Sequence, residues 1–348
     1  MNKQKRLIST FLLFVILTLC ACSATHPAAP TPAGWAWSNR MLRFTKMAIL
    51  PDDEVWTITD RDFVMHDYLQ VRNPIDDIHD MLPFGILGIA FITPDDGWVV
   101  GNTIVQTGQI YHWDGTQWTS KIPSGWLQDV FLEDVKFLDS NHGWAVGESD
   151  SHGKTDNIDT PVILRWNGEN WNYVSLPAAI NTSDIQLREI DVLSAADIWV
   201  VGKDETARLG YMGKGIVWHW DGVNWLDIPV PDTMLLPHSI SATSSNDAWV
   251  SATGSGDEEI FHWDGQNWSL RILPISFDVC CTNTTSAIFA NARDDVWAGG
   301  RTLFHWDGTN WKDMHYNGEY GNIVDIKKAP DGTLWALTEM GQIMQLFK

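Results

Sequence analysis

His305-Trp306-Asp307-Gly308-Thr309-Asn310-Trp311 is the last of five related phrases in this chain. The earlier copies are Trp113-Asp114-Gly115-Thr116-Gln117-Trp118, Trp166-Asn167-Gly168-Glu169-Asn170-Trp171, Trp220-Asp221-Gly222-Val223-Asn224-Trp225 and Trp263-Asp264-Gly265-Gln266-Asn267-Trp268. In every copy the second Trp follows the first by five places and Gly stands third, which marks an internal repeat. The chemistry is that of a hairpin loop. Gly supplies a positive φ, and the Asp or Asn before it accepts N–H bonds from the residues that follow. The flanking tryptophans are placed to meet as a cross-strand pair.

A second phrase precedes each hairpin. Its clearest copies are Asp96-Gly97-Trp98-Val99-Val100-Gly101, His142-Gly143-Trp144-Ala145-Val146-Gly147, Asp197-Ile198-Trp199-Val200-Val201-Gly202, Asp247-Ala248-Trp249-Val250-Ser251 and Asp295-Val296-Trp297-Ala298-Gly299. Weaker copies surround Trp56 and Trp335. Spacings between successive Trp of this phrase are 42, 46, 55, 50, 48 and 38 residues. A period near 45 built from short strands and turns predicts an all-β chain folded as a β-propeller. In the third unit, residues 134–138 alternate as strand A and 144–146 are apolar on both faces as strand B. Residues 162–166 and 171–176 complete strands C and D. The last segment, 322–348, is one strand short, while residues 35–44 precede the first strand A with no unit of their own. Pairing the two closes the ring without an exposed sheet edge and predicts seven four-stranded blades. The alternative is six blades, with 46–83 as an irregular cap.

The N-terminus reads as an address. Lys3, Lys5 and Arg6 precede a 13-residue apolar run, 7–19, which spans about 20 Å as a helix against a hydrocarbon core of about 30 Å. That is a secretory signal rather than a membrane span. Its exit, Leu19-Cys20-Ala21-Cys22, resembles the lipobox of bacterial lipoproteins. The resemblance implies residues 1–21 as signal peptide and Cys22 as the lipidated first mature residue. An ordinary secretory signal with incidental cysteines is the alternative. Residues 22–34, rich in Ala, Pro and Thr, suit a tether, and 35–348 the propeller. The expected location is the cell envelope outside the cytoplasm, with the membrane contacted through lipid.

Formal net charge is −21. Without the signal, 20 basic side chains face 44 acidic ones, about −24, a surface that repels phosphate backbones and argues against nucleic acid as a partner. No nucleophile elbow, phosphate loop or metal triad is present in the sequence, and no cofactor is expected. A monomer is expected.

The run Asp-Val-x-Phe-x-Asp-x-x-x-Gly-Trp-Ala-Val-Gly, followed by aliphatic-x-Trp-(Asp/Asn)-Gly-x-x-Trp, resembles repeats of exported bacterial propellers. It is similar to the photosystem II assembly-factor-like family and, more distantly, to the Asp-box (BNR) repeats of sialidases. The match covers about 86–316. It implies a fold rather than an activity, because such propellers serve both as enzymes and as binding platforms.

The A–B and C–D turns are nearly constant in length, whereas the B–C and D–A connections vary and emerge on one rim. That rim is where a site is expected, and the constancy of the Trp-Asp-Gly turns argues against a specific site on the other. The longest B–C loops, 148–160 and 203–215, carry Glu148, Asp150, His152, Asp156, Asp159, Asp204 and Glu205. These residues suit a cation or amine site, and they also read as solvated loops of an acidic protein. Trp126 lies outside the repeat frame and suits either stacking on a sugar or packing against a loop. The adjacent Cys280 and Cys281 either stay free or close a vicinal disulfide. A sialidase-like site needs an arginine cluster at matching blade positions, which the repeats lack. The expected function is therefore a non-enzymatic binding or assembly scaffold for an envelope protein or glycan. A carbohydrate-active glycosidase or lyase using the same rim is the alternative.

Overall fold

Each Trp-Asp-Gly-x-x-Trp phrase folds as a hairpin. The tryptophans pair directly across antiparallel strands in all five copies. Their ring centroids lie 5.5–5.7 Å apart. Asp307 Oδ1 accepts the N–H groups of Thr309 and Asn310 at 3.0 and 2.9 Å, and Asn167 Oδ1 accepts those of Glu169 and Asn170 at 3.1 and 2.8 Å. All five turn glycines have φ between +87° and +96°, where a side chain would be strained. In Asp114, hydrogen bonds from Thr116 and Gln117 hold the carboxyl down at about 2.

The computed structural model describes residues 43–50, 54–59, 64–68, 85–103, 107–122, 130–149, 159–178, 180, 182–209, 212–254, 258–274, 285–316 and 318–346. They form seven antiparallel sheets, five of four strands and two of three. The first is β1 (Phe44–Ile49), β2 (Glu54–Thr59) and β3 (Val64–Tyr68). The second is β4 (Gly85–Thr93), β5 (Asp96–Asn102), β6 (Gly108–Trp113) and β7 (Trp118–Ser120). The third is β8 (Val130–Asp139), β9 (His142–Ser149), β10 (Thr160–Trp166) and β11 (Trp171–Tyr173). The fourth is β12 (Ile185–Ser194), β13 (Asp197–Leu209), β14 (Met212–Trp220) and β15 (Trp225–Asp227). The fifth is β16 (Leu236–Ser244), β17 (Asp247–Thr253), β18 (Glu258–Trp263) and β19 (Trp268–Arg271). The sixth is β20 (Thr285–Ala292), β21 (Asp295–Gly300), β22 (Leu303–Trp306) and β23 (Trp311–Asp313). The last is β24 (Ile323–Lys328), β25 (Leu334–Thr338) and β26 (Ile343–Leu346).

The first strand of each sheet lies beside the first strand of the next, and β24 lies beside β1, so the sheets close on themselves as a β-propeller. The Phe44 N–H reaches Glu339 O at 2.9 Å across that closure. Of the closing strand expected over 35–44, residues 35–42 lie outside the described residues, and Phe44 belongs to β1, which pairs with β2. The segment considered as an irregular cap carries the regular β1–β3 sheet.

The strand-B Trp of one sheet packs into the Trp pair of the next. Trp98 stacks on Phe137 at 5.0 Å and meets Trp166 and Trp171 at 4.8 and 5.6 Å. Burying whole indole rings between sheets supplies much of the core and explains why the repeat spends so many tryptophans. Among the described residues a second fastening recurs in four sheets. The rings of His112, His219, His262 and His305 lie on Trp98, Trp199, Trp249 and Trp297 at 4.1–4.4 Å, and each His Nε2 meets the strand-B Asp at 2.7–2.9 Å. The His of the His-Trp-Asp-Gly phrase is thus a packing residue.

Candidate functional site

Every innermost strand carries a register shift, a β-bulge, just before the same position. The glycine of the Val-Gly phrase faces that bulge. A Cβ on Gly147 would sit 1.9 Å from Phe131 O, and one on Gly101 the same distance from Gly85 O. Bulges re-aim the residues that follow them. Here those residues are Lys46, Gly88, Asp134, Glu189, Ser239, Ala287 and Asp325, and two places on come Lys136, Asp191 and Lys327 among others.

Charged members of this set meet at the middle of the ring. Asp134 is fully buried, with Lys46 Nζ 2.7 Å from Oδ1 and Lys136 Nζ 3.5 Å from Oδ2. Lys327 Nζ lies 3.0 Å from Asp325 Oδ1. The remaining lone pairs tie one sheet to the next. Asp325 Oδ2 accepts the Met47 N–H at 2.9 Å, Asp191 Oδ2 that of Ala242 at 2.8 Å, and Asp134 Oδ2 that of Ile190 at 3.3 Å. Burial alone would raise the Asp134 carboxyl, but Lys136 and Lys46 outweigh it and hold it at about 2. Burial pulls the two ammonium groups down, and the facing carboxylates, Asp134 first, carry them above the usual lysine value. Burial raises Glu189 and Asp191. The strand-A sequences did carry this signal. Asp134-Val135-Lys136, Glu189-Ile190-Asp191 and Asp325-Ile326-Lys327 place a charge at every second residue, but alternation by itself does not say that these faces converge.

On the B–C and D–A rim, the third and fourth sheets bring several predicted residues together. Half-buried Glu148 is the penultimate residue of β9. Burial first, then the charges of Glu133 and Asp159, push its carboxyl up to about 8 against the pull of Arg188 and Lys203. Burial also raises Glu133. Asp159 is buried and its Oδ2 accepts from Gln186 Nε2 at 2.7 Å. Glu205 is ion-paired with Lys203. Asp204 caps its own turn, with Oδ1 accepting from the N–H groups of Thr206 and Ala207 at 2.8 and 3.2 Å. Glu148 and Asp159 therefore share one electrostatic neighbourhood, while Asp204 is occupied structurally. Glu133, Gln186 and Arg188 join them without having been singled out, because they lie on strand A rather than in the long loops. Cys22, Trp126, Asp150, His152, Asp156, Cys280 and Cys281 lie outside the described residues. Among the described residues no group of three or more His, Cys, Asp or Glu is arranged to hold a metal ion. No described helix is long and apolar enough to cross a membrane.

This geometry defines a β-propeller with a charged centre and a charged patch on its variable rim. No protein-family model and no curated protein matches the chain. Solved structures do. A structure described as YCF48 bound to D1 peptide aligns with a TM-score of 0.62 at 16% identity, covering 88% of this chain and 94% of that one. YCF48 from Cyanidioschyzon merolae gives 0.61 at 13% identity, with 88% and 96% covered. Virginiamycin B lyase from Staphylococcus aureus gives 0.59 at 12%, with 88% and 95% covered. At such identity the likeness shows the fold alone.

Proposed function

We propose that the chain is a lipid-anchored, extracytoplasmic β-propeller of seven blades. It works as a monomeric, non-enzymatic binding or assembly scaffold for an envelope protein or glycan. The observation that carries the reading is the rim around Glu148. Its acidic and basic groups come from two adjacent sheets and stand on a frame of buried tryptophans that does not vary. A rigid ring with a diversified polar rim is the usual plan of a recognition surface. One neighbour of this fold, described with a bound peptide, supports a binding role. The strongly negative balance speaks against nucleic acid.

The test is capture of partners from the native envelope with the full-length chain, in parallel with a Glu148→Gln, Arg188→Gln variant. A partner retained by the first and lost by the second supports the scaffold, and equal retention by both removes the rim from the reading. Cys22→Ala should abolish metabolic lipid labelling, and persistent labelling would sink the anchor. One observation favours the alternative, a glycosidase or lyase. A carboxyl pushed up to about 8 holds its proton at neutral pH, as a general acid must. Turnover of an envelope polysaccharide that Glu148→Gln abolishes would decide for that alternative.

A further inference from the structure

The other rim holds a cavity of about 520 Å³ between the fifth and sixth sheets, within the range of small-ligand sites. It forms where two arginines break the repeat. The residue three places after the second Trp of each hairpin is Lys121, Val174, Ile228, Arg271 and Met314 in turn. Its structural equivalence is plain, because it pairs back to the same place on strand C each time. Val174 and Ile228 pack into the core between sheets. Arg271 instead lays its guanidinium 5.3 Å from the Trp306 ring of the next sheet. The first residue of the A–B turn is Pro94, Ser140, Ala195 and Ser245 in the second to fifth sheets, and Arg293 in the sixth.

The two guanidiniums are held differently. Arg271 Nη2 donates to His262 Nδ1 at 3.2 Å, and His262 Nε2–H in turn donates to Asp247 Oδ1 at 2.7 Å. An arginine only donates, so this fixes the imidazole tautomer. Arg271 Nε is buried and has no partner among the described residues, so the guanidinium meets the cavity through its outer nitrogens. Arg293 has its side chain 63% exposed and stands 3.7 Å from Asp247, beyond hydrogen-bond range. Two carboxylates complete the wall. Asp264 Oδ1 already accepts two turn N–H groups, at 2.9 and 2.8 Å, and Asp294 packs beneath the Gly308 turn. The lining thus offers both cationic donors and carboxylate acceptors. A simple anion would meet repulsion from the aspartates. A ligand that carries both a carboxylate and hydroxyl donors satisfies both kinds of group.

We propose that this cavity binds a sugar acid, its carboxylate taken by Arg271 and Arg293 and its hydroxyls by Asp264 and Asp294. The site is independent of the variable-rim reading. The experiment measures binding of glucuronate and galacturonate, against glucose and galactose, to the full-length chain by isothermal titration or ligand-observed NMR. Uronate binding is expected to exceed that of the neutral sugars. Arg293→Gln should weaken it at least about tenfold, the effect of losing one charge-assisted donor group. Because Arg293 is largely exposed, its melting temperature should move by no more than about 2 °C. Arg271→Met, which installs the side chain found at the equivalent Met314, should also remove uronate binding, and Arg293→Gln keeps the test decisive if that variant folds poorly. Equal binding of neutral and acidic sugars, no uronate binding at tens of millimolar, or full affinity in Arg293→Gln would each overturn the proposal.

Discussion

Lys46 Nζ lies 2.7 Å from Asp134 Oδ1, although the two residues are 88 apart in sequence and belong to sheets separated by a third. The pair spans the centre of the ring past the inner strand of the second sheet. It links the beginning of the described chain to its middle, as Asp325 and Met47 link the end to the beginning.

Removing one partner from that centre leaves buried charge uncompensated. Asp134→Ala is expected to cost about 3–5 kcal/mol, read as the loss of unfolding free energy in urea. The sign of the pH effect follows from the depressed carboxyl. Its folded-state value of about 2 lies below the ordinary 3.8, so its stabilisation is present above that ordinary value and is lost as pH falls towards 2. The native chain should lose stability steeply between about pH 4 and 2, and Asp134→Asn should flatten that limb.

Glu148 behaves in the opposite sense. Its carboxyl is raised from 4.5 to about 8, so the folded state holds a proton that the unfolded chain releases. Stability from this group is complete below pH 4.5 and declines as pH rises towards 8. Glu148→Gln, which keeps the neutral shape, should remove that decline. Melting temperatures of the two proteins from pH 4 to 9 provide the check, and parallel curves would refute the assignment.

Gly147 faces the bulge of β8 at a distance no side chain tolerates. Gly147→Ala forces backbone movement at the innermost strand and is expected to destabilise by at least about 3 kcal/mol, seen as a fall in melting temperature. The same substitution outside the sheets, at Gly332, meets only the Lys328 side chain at 3.9 Å, so any cost there comes from its φ of +91°.

His219 is buried between Trp199 and Asp197. His219→Ala removes the ring stack and the Asp197 hydrogen bond and opens a cavity, an expected loss of about 2–4 kcal/mol by chemical denaturation. A loss no larger than that of a surface substitution would show that the fastening contributes little.

The hairpins, the strand-B phrase and the near-45 period were legible because each depends on local chemistry. A Gly at positive φ, an Asx oxygen over its own turn and a Trp five places from another are set by neighbours in sequence. The rim around Glu148 was partly legible, since Glu148, Asp159 and Glu205 stand in the two long connections. Glu133 and Arg188 were not, because a strand-A residue reads as framework until the bulge and the adjoining sheet turn it towards the same rim. The arginine cavity was missed for a related reason. Constancy of the Trp-Asp-Gly turn argues against a site on that rim, yet Arg271 and Arg293 are the departures from the repeat, and they lie 22 residues apart in different sheets.

The sequence by itself determined the repeat, the turn type and the placing of indole rings between stacked sheets, all consequences of contacts within one unit or between successive ones. Only the tertiary structure decided which charges meet. Lys46, Asp134, Lys136, Glu189 and Asp325 come together because closing the ring brings their strands to a common centre, and the free energy of a buried charge depends on the partners found there rather than on its neighbours along the chain.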